Sequence, residues 1–168
     1  MIKKRAALTF IAALLVLATL ACALSFNRNP DGSLGVETVL TEEMIQESLN
    51  NSSAQWGGDN EDIKLSNLDA DLRDGYIFVV GDLQYVEGGA VDQLSFRLDL
   101  YAENGQLVVL MSDVQVENYS VDPLLVNEWN QKISDELTDA SQQTPNASLD
   151  SVTVAEDGVT FLWRVSNP

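Results

Sequence analysis

The chain of 168 residues contains few of the side chains that usually do chemistry. It has no histidine, and Cys22 is its only cysteine. Because histidine is the commonest general base and zinc ligand, its absence excludes Ser-His-Asp and Cys-His mechanisms. A single thiol cannot form an internal disulfide, which favours a chemical role for Cys22. We therefore expect no enzymatic activity, no catalytic residue, no bound metal and no cofactor.

Cys22 follows a segment with the layout of a secretory signal. Residues 1–5 are cationic, and no charged residue follows until Arg28. A positive start, an apolar run and a small-residue exit are typical of a signal peptide, whose positive end stays in the cytoplasm. Residues 19–22 (TLAC) then resemble a bacterial lipobox. We predict a signal peptide over residues 1–21 and a palmitate-type lipid anchor on Cys22, at the extracytoplasmic face of the cell membrane or the outer membrane.

Two other fates of the same segment stay open. Ala21-Cys22-Ala23 also satisfies the rule for ordinary signal cleavage, which would release the chain without a lipid. The apolar run is also long enough to stay uncleaved as a transmembrane anchor, since about 20 apolar residues suffice.

The mature chain is strongly acidic. Removing residues 1–21 takes away three of the nine basic residues and none of the 26 acidic ones, so the formal net charge becomes −20. Such a chain repels phosphate backbones and anionic lipid surfaces, which excludes nucleic acid as a partner and makes a covalent anchor more necessary. The acidity itself is typical of a soluble exported surface.

One acidic series has a partial likeness to a calcium loop. Asp69, Asp71 and Asp74 precede a glycine, but an EF-hand also needs an oxygen ligand at position 5 and a glutamate at position 12. Arg73 and Val80 occupy those two positions. We therefore interpret the series as a strand with exposed aspartates that leads into a turn.

Residues 27–35 (NRNPDGSLG) are rich in Pro, Gly, Asn and Ser, which predicts a tether over residues 22–35. Hydrophobic periodicity predicts a single α+β domain over residues 36–168. In chain order we expect a short helix, a four-stranded antiparallel meander, a long amphipathic helix and a closing β-hairpin, with the strands in one antiparallel sheet. Thr41 and Asp122 are the predicted N-caps of the two helices. A slip in the alternation between Leu65 and Leu68 predicts a β-bulge, and Asn104-Gly105 predicts a tight hairpin.

Some predicted strands are apolar on both faces. Tyr76, Phe78 and Val80 lie on the face opposite Ile77 and Val79. A sheet with one face in water should not show this pattern. We expect the second face to be covered by another part of the chain, by a partner chain or by a bound apolar ligand.

The order of elements resembles a half-module of the TULIP (tubular lipid-binding) superfamily, over about residues 36–165. The resemblance implies a long helix packed along a rolled sheet, with acyl chains in the apolar seam between them. It also implies the lining of that seam, which we call the seam residues: Phe96, Leu98, Val109, Met111, Trp129, Ile133 and Leu137. One half-module leaves only a short groove, so a closed tunnel would need dimerisation. A cystatin-like helix-on-sheet domain, without a lipid function, is the alternative fold.

Two functions follow from these observations. The first is an extracytoplasmic, membrane-anchored lipoprotein that binds lipid or another apolar ligand between the long helix and the curved sheet. The second is a structural or protein-interaction lipoprotein without a ligand, whose acidic surface or sheet edge meets an envelope protein or a second copy. An open apolar groove would favour the first function, and a filled seam would favour the second.

Overall fold

A computed structural model describes residues 25–52, 63–85, 89, 91–118, 120–141 and 146–166 of the chain. The predicted signal peptide and Cys22 lie outside these ranges. No helix within the described ranges combines the length and the apolar character that crossing a membrane requires.

Eight strands and two helices make up the described part of the chain. In chain order they are β1 (Ser25–Arg28), β2 (Leu34–Leu40), α1 (Glu42–Ser52), β3 (Ile63–Arg73), β4 (Tyr76–Tyr85), β5 (Val91–Glu103), β6 (Gln106–Val116), α2 (Pro123–Ser141), β7 (Ala147–Ala155) and β8 (Gly158–Val165).

The strands form two antiparallel sheets of four. The first sheet has the order β1-β2-β8-β7, and the second is the meander β3-β4-β5-β6. The predicted bulge is present, because the β3–β4 register shifts between Ser66 and Asp69. The β5–β6 hairpin turns at Asn104 and Gly105, which have positive φ angles of 53° and 80°. Positive φ at both central residues is the requirement that Asn-Gly meets in tight hairpins.

The predicted fold class is wrong. A single sheet with a long helix along it, whether TULIP-like or cystatin-like, does not describe a mostly β domain with two separate sheets. The closing hairpin β7–β8 does not extend the meander but pairs through β8 with β2. β1 and the start of β2 lie within residues 22–35, the segment predicted as a tether. There they pair with each other as the two strands at one end of the first sheet. The physical reason is long-range strand pairing, which local hydrophobic periodicity does not encode.

The two helices begin where their caps predict. The backbone N–H of Met44 donates to the Thr41 hydroxyl oxygen at 3.4 Å, and that of Leu124 donates to the Asp122 carboxylate at 2.9 Å. α1 contacts β3 and α2 contacts β6, the two outer strands of the meander. The helices therefore flank the meander at its two edges.

The hydrophobic core lies where the two sheets meet. β7 of the first sheet contacts all four strands of the meander. The most deeply buried side chains come from both sheets: Leu68, Val79 and Phe96 from the meander and Val159 from β8. Removing a large side chain from such a close-packed interior costs about 2–5 kcal/mol.

Candidate functional site

The strand members of the seam residues lie on one face of the meander. Leu98 is directly opposite Met111, and Leu100 is opposite Val109. Residues directly opposite each other on neighbouring strands point to the same face. Phe96 and Met111 are only 1% and 6% exposed, and both belong to the core between the sheets. These two side chains are therefore packed against protein.

Two of the three helical seam residues reach the same core. Trp129 and Ile133 are half-buried and pack against it, as Leu98 does. Leu137, one turn after Ile133, is half-buried as well. The structure thus brings every seam residue except Leu137 to the meander face that meets the first sheet or against the core.

A helix residue that the sequence did not single out fixes α2 against the meander. Asn130 accepts a hydrogen bond from the backbone N–H of Met111 at 2.7 Å and donates one to the Met111 carbonyl oxygen at 2.9 Å. A side-chain amide here takes the place of a neighbouring strand on the outer edge of β6. The available signal was an asparagine beside Trp129 in the middle of a helix, where Asn is an unfavourable residue without a specific partner.

Gln46 does the same at the opposite edge of the meander. Its amide nitrogen donates to the Leu68 carbonyl oxygen, and its amide oxygen accepts from the Ala70 N–H at 2.8 Å. The Leu72 N–H, one pleat further along β3, donates to the Glu42 carboxylate at 3.3 Å. Both edges of the meander are therefore covered by a helix that supplies an amide side chain to the strand backbone.

The β7 edge of the first sheet is covered by the hairpin turns of the meander. The Gly75 N–H donates to the Val154 carbonyl oxygen at 3.0 Å, and the Leu149 N–H donates to the Gly105 carbonyl oxygen at 2.8 Å. Within the described residues β1, at the other end of the sheet, pairs with β2 alone. An edge strand with free backbone groups is a template for further pairing. Among the sheet edges in the described chain, the β1 edge is thus the one without a cover.

Arginine side chains cover the aromatic residues on the outer face of the meander. The Arg73 guanidinium lies 4.8 Å from the centre of the Phe78 ring, and that of Arg97 lies 4.1 Å from the centre of the Tyr76 ring. Phe78 and Arg97 are directly opposite each other on β4 and β5. On this part of the outer face, the aromatic rings are therefore covered by arginine side chains of the same chain, through cation–π contacts.

Neighbouring carboxylates hold these two arginines in place. Arg97 forms an ion pair with Asp99 and donates hydrogen bonds to its carboxylate. These hydrogen bonds raise the pKa of Arg97 above its ordinary value. Arg73 pairs with Asp71 at 2.7 Å. The Tyr76 hydroxyl and then Asp71 raise the pKa of Arg73 above its ordinary value. These pairs are partly exposed, and their main effect is to orient the arginines over the rings.

The ion pair between Arg73 and Asp71 lies within the acidic series that partly resembles a calcium loop. Asp71 is bound to Arg73, and Asp69 and Asp74 are exposed. Within the described ranges no group of three carboxylate, histidine or cysteine side chains lies close enough to hold a metal ion.

Comparisons with protein-family models, curated proteins and solved structures find no significant match to this chain.

Proposed function

We propose that this chain is a lipid-anchored extracytoplasmic domain with a structural or protein-interaction role in the cell envelope. The observation that carries this choice over ligand binding is the packing of the seam residues. Phe96 and Met111 are 1% and 6% exposed, and Trp129 and Ile133 pack against the same core. A ligand in the seam would have to displace these side chains, at a cost of several kcal/mol.

The position of the first strand supports the lipid anchor. β1 begins at Ser25, three residues after Cys22. Cleavage before Cys22 would therefore remove none of the described fold. A mature chain with a formal charge of −20 also gains little from anionic lipid surfaces, so a covalent lipid is the means by which it would stay at a membrane.

Native mass spectrometry of the full-length protein from its own host tests the proposal. We expect the mass of the chain from Cys22 onward with covalent acyl groups and no further lipid. The matched variants are Leu98→Asp, in the seam, and Leu110→Asp, on the outer face of the meander where Leu110 is 42% exposed. Circular dichroism establishes that each variant is folded.

A non-covalent lipid at a fixed stoichiometry would overturn the structural role. It would have to be present in the wild type and in Leu110→Asp and lost from folded Leu98→Asp. That result would favour a lipid-binding role for the domain.

A further inference from the structure

The inner face of the first sheet carries an apolar row that becomes more exposed toward β1. The strand register places Phe26, Val36, Trp163 and Leu149 side by side on β1, β2, β8 and β7. Leu149 is 2% exposed, Val36 and Trp163 are half-buried, and Phe26 is 63% exposed. The apolar face thus continues outward beyond the part that the meander covers.

The exposed apolar area also includes Leu34, the next inward-facing residue of β2 after Val36 toward the start of the strand. Leu34 lies opposite Arg28 on β1 and opposite Val165 on β8, and it is exposed although its β2 neighbours Thr38 and Leu40 are buried. Phe26, Leu34, Val36 and Trp163 together form what we call the β1 strip. An exposed apolar area next to polar residues is typical of an interaction site.

The length of chain between the β1 strip and Cys22 limits where the strip can lie. Phe26 is four residues after Cys22, and four extended residues span at most about 14 Å. The polar interface of a bilayer is roughly 5–8 Å thick on each side of the hydrocarbon core. A lipid on Cys22 would therefore hold Phe26 within reach of the headgroup layer.

We propose that the β1 strip inserts into the headgroup region of the membrane that holds the Cys22 lipid. This inference rests on the proposed lipid anchor. Tryptophan is enriched at membrane interfaces, and phenylalanine and leucine side chains on an interfacial surface bury at the headgroup boundary. Trp163, Phe26 and Leu34 supply these three residue types. Arg28, on the strand that carries Phe26, places one of the few positive charges of the mature chain beside the strip. We expect the membrane surface to be zwitterionic, because the acidic domain would be repelled by anionic lipids.

Site-directed spin labelling of the mature acylated protein, produced from the full-length gene, tests the orientation. In Phe26→Cys the new cysteine is the only free thiol, because the lipid blocks Cys22, and substitution of an exposed residue leaves the core intact. The control is Leu110→Cys, on the outer face of the meander. Each labelled protein is reconstituted into phosphatidylcholine vesicles, and the accessibility of the nitroxide to oxygen and to a water-soluble nickel complex is measured.

We expect the label at position 26 to be several-fold less accessible to nickel than the label at position 110, and more accessible to oxygen. Equal accessibility to nickel would overturn the insertion. Dipolar broadening between labels at position 26 would also overturn it, because a second copy would then cover the strip. Mass spectrometry before labelling separates this failure from that of the anchor, since an unmodified Cys22 would overturn both proposals.

Discussion

Replacing Asn130 tests whether its amide stabilises the outer edge of β6. Asn130→Ala removes the two hydrogen bonds to the Met111 backbone, at 2.7 and 2.9 Å. Each is worth about 0.5–1.5 kcal/mol, and a partly buried group left without a partner adds to the loss. Alanine regains about 0.5 kcal/mol through its higher helix propensity. We expect a net decrease of about 1–3 kcal/mol in the free energy of unfolding.

Asn127→Ala is a matched control on the same helix, because Asn127 is exposed. It gains the helix propensity and loses no hydrogen bond to β6, so we expect stabilisation by a few tenths of a kcal/mol. Urea denaturation followed by circular dichroism measures both variants, with the transition midpoint as the readout. The two changes should have opposite signs. If Asn130→Ala also raised the midpoint, the amide would not stabilise the edge, and the described role of α2 would be refuted.

Three further predictions concern the anchor, the other edge and the packing of the meander. Cys22→Ala should abolish labelling by a clickable fatty acid, and equal labelling of variant and wild type would contradict the lipobox interpretation. Gln46→Ala should lower the free energy of unfolding by about 1–3 kcal/mol, whereas Glu47→Ala, at an exposed position of α1, should change it little in the same urea assay. Gly81→Ala would bring a Cβ to 2.5 Å from a Leu68 methyl group, so overpacking should lower thermal stability by about 1–3 kcal/mol; an unchanged melting temperature would show that Leu68 moves aside freely.

The meander was predictable because its signals are local. Alternation fixes the faces of its strands, and turn residues such as Asn104-Gly105 fix the ends of its hairpins. The bulge near Asn67 was also visible, since it restores the alternation after a slip; Asn67 has a φ of 52° there. The same reasoning placed both helices, whose caps are set by Thr41 and Asp122.

In the first sheet only the closing hairpin β7–β8 had such local signals, and its joining with β2 and β1 into one sheet was not predictable from them. β1 has only four residues and no apolar alternation, and its turn into β2 contains the loop residues of a tether. Asp31 stabilises that turn by accepting hydrogen bonds from the Ser33 N–H and hydroxyl at 3.0 and 2.6 Å, which lower the pKa of its carboxyl group. The pairing of β2 with β8 joins residues far apart in sequence. Such contacts depend on the whole fold rather than on a local pattern.

The position of α2 on the meander was also not predictable from a local pattern. The stripe that includes Trp129 and Ile133 correctly indicated an apolar helix face, and both side chains do pack against the core. The stripe does not specify whether the helix covers the face of a sheet or one of its edges. The contact that decides this is made by Asn130, a polar residue whose amide hydrogen-bonds to the backbone of Met111 and which the apolar pattern does not include.

The uncovered edge of β1 acquires a physical explanation from the proposed anchor. The other edges in the described chain are covered by Gln46, by Asn130 and by the turns that contact β7. Without such a cover, an edge strand invites pairing with other chains, unless it is short or sterically blocked. β1 has four residues and begins three residues after Cys22. With a lipid on that cysteine, the bilayer would stand where another strand would have to approach, so the anchor would protect the edge as well as localise the domain.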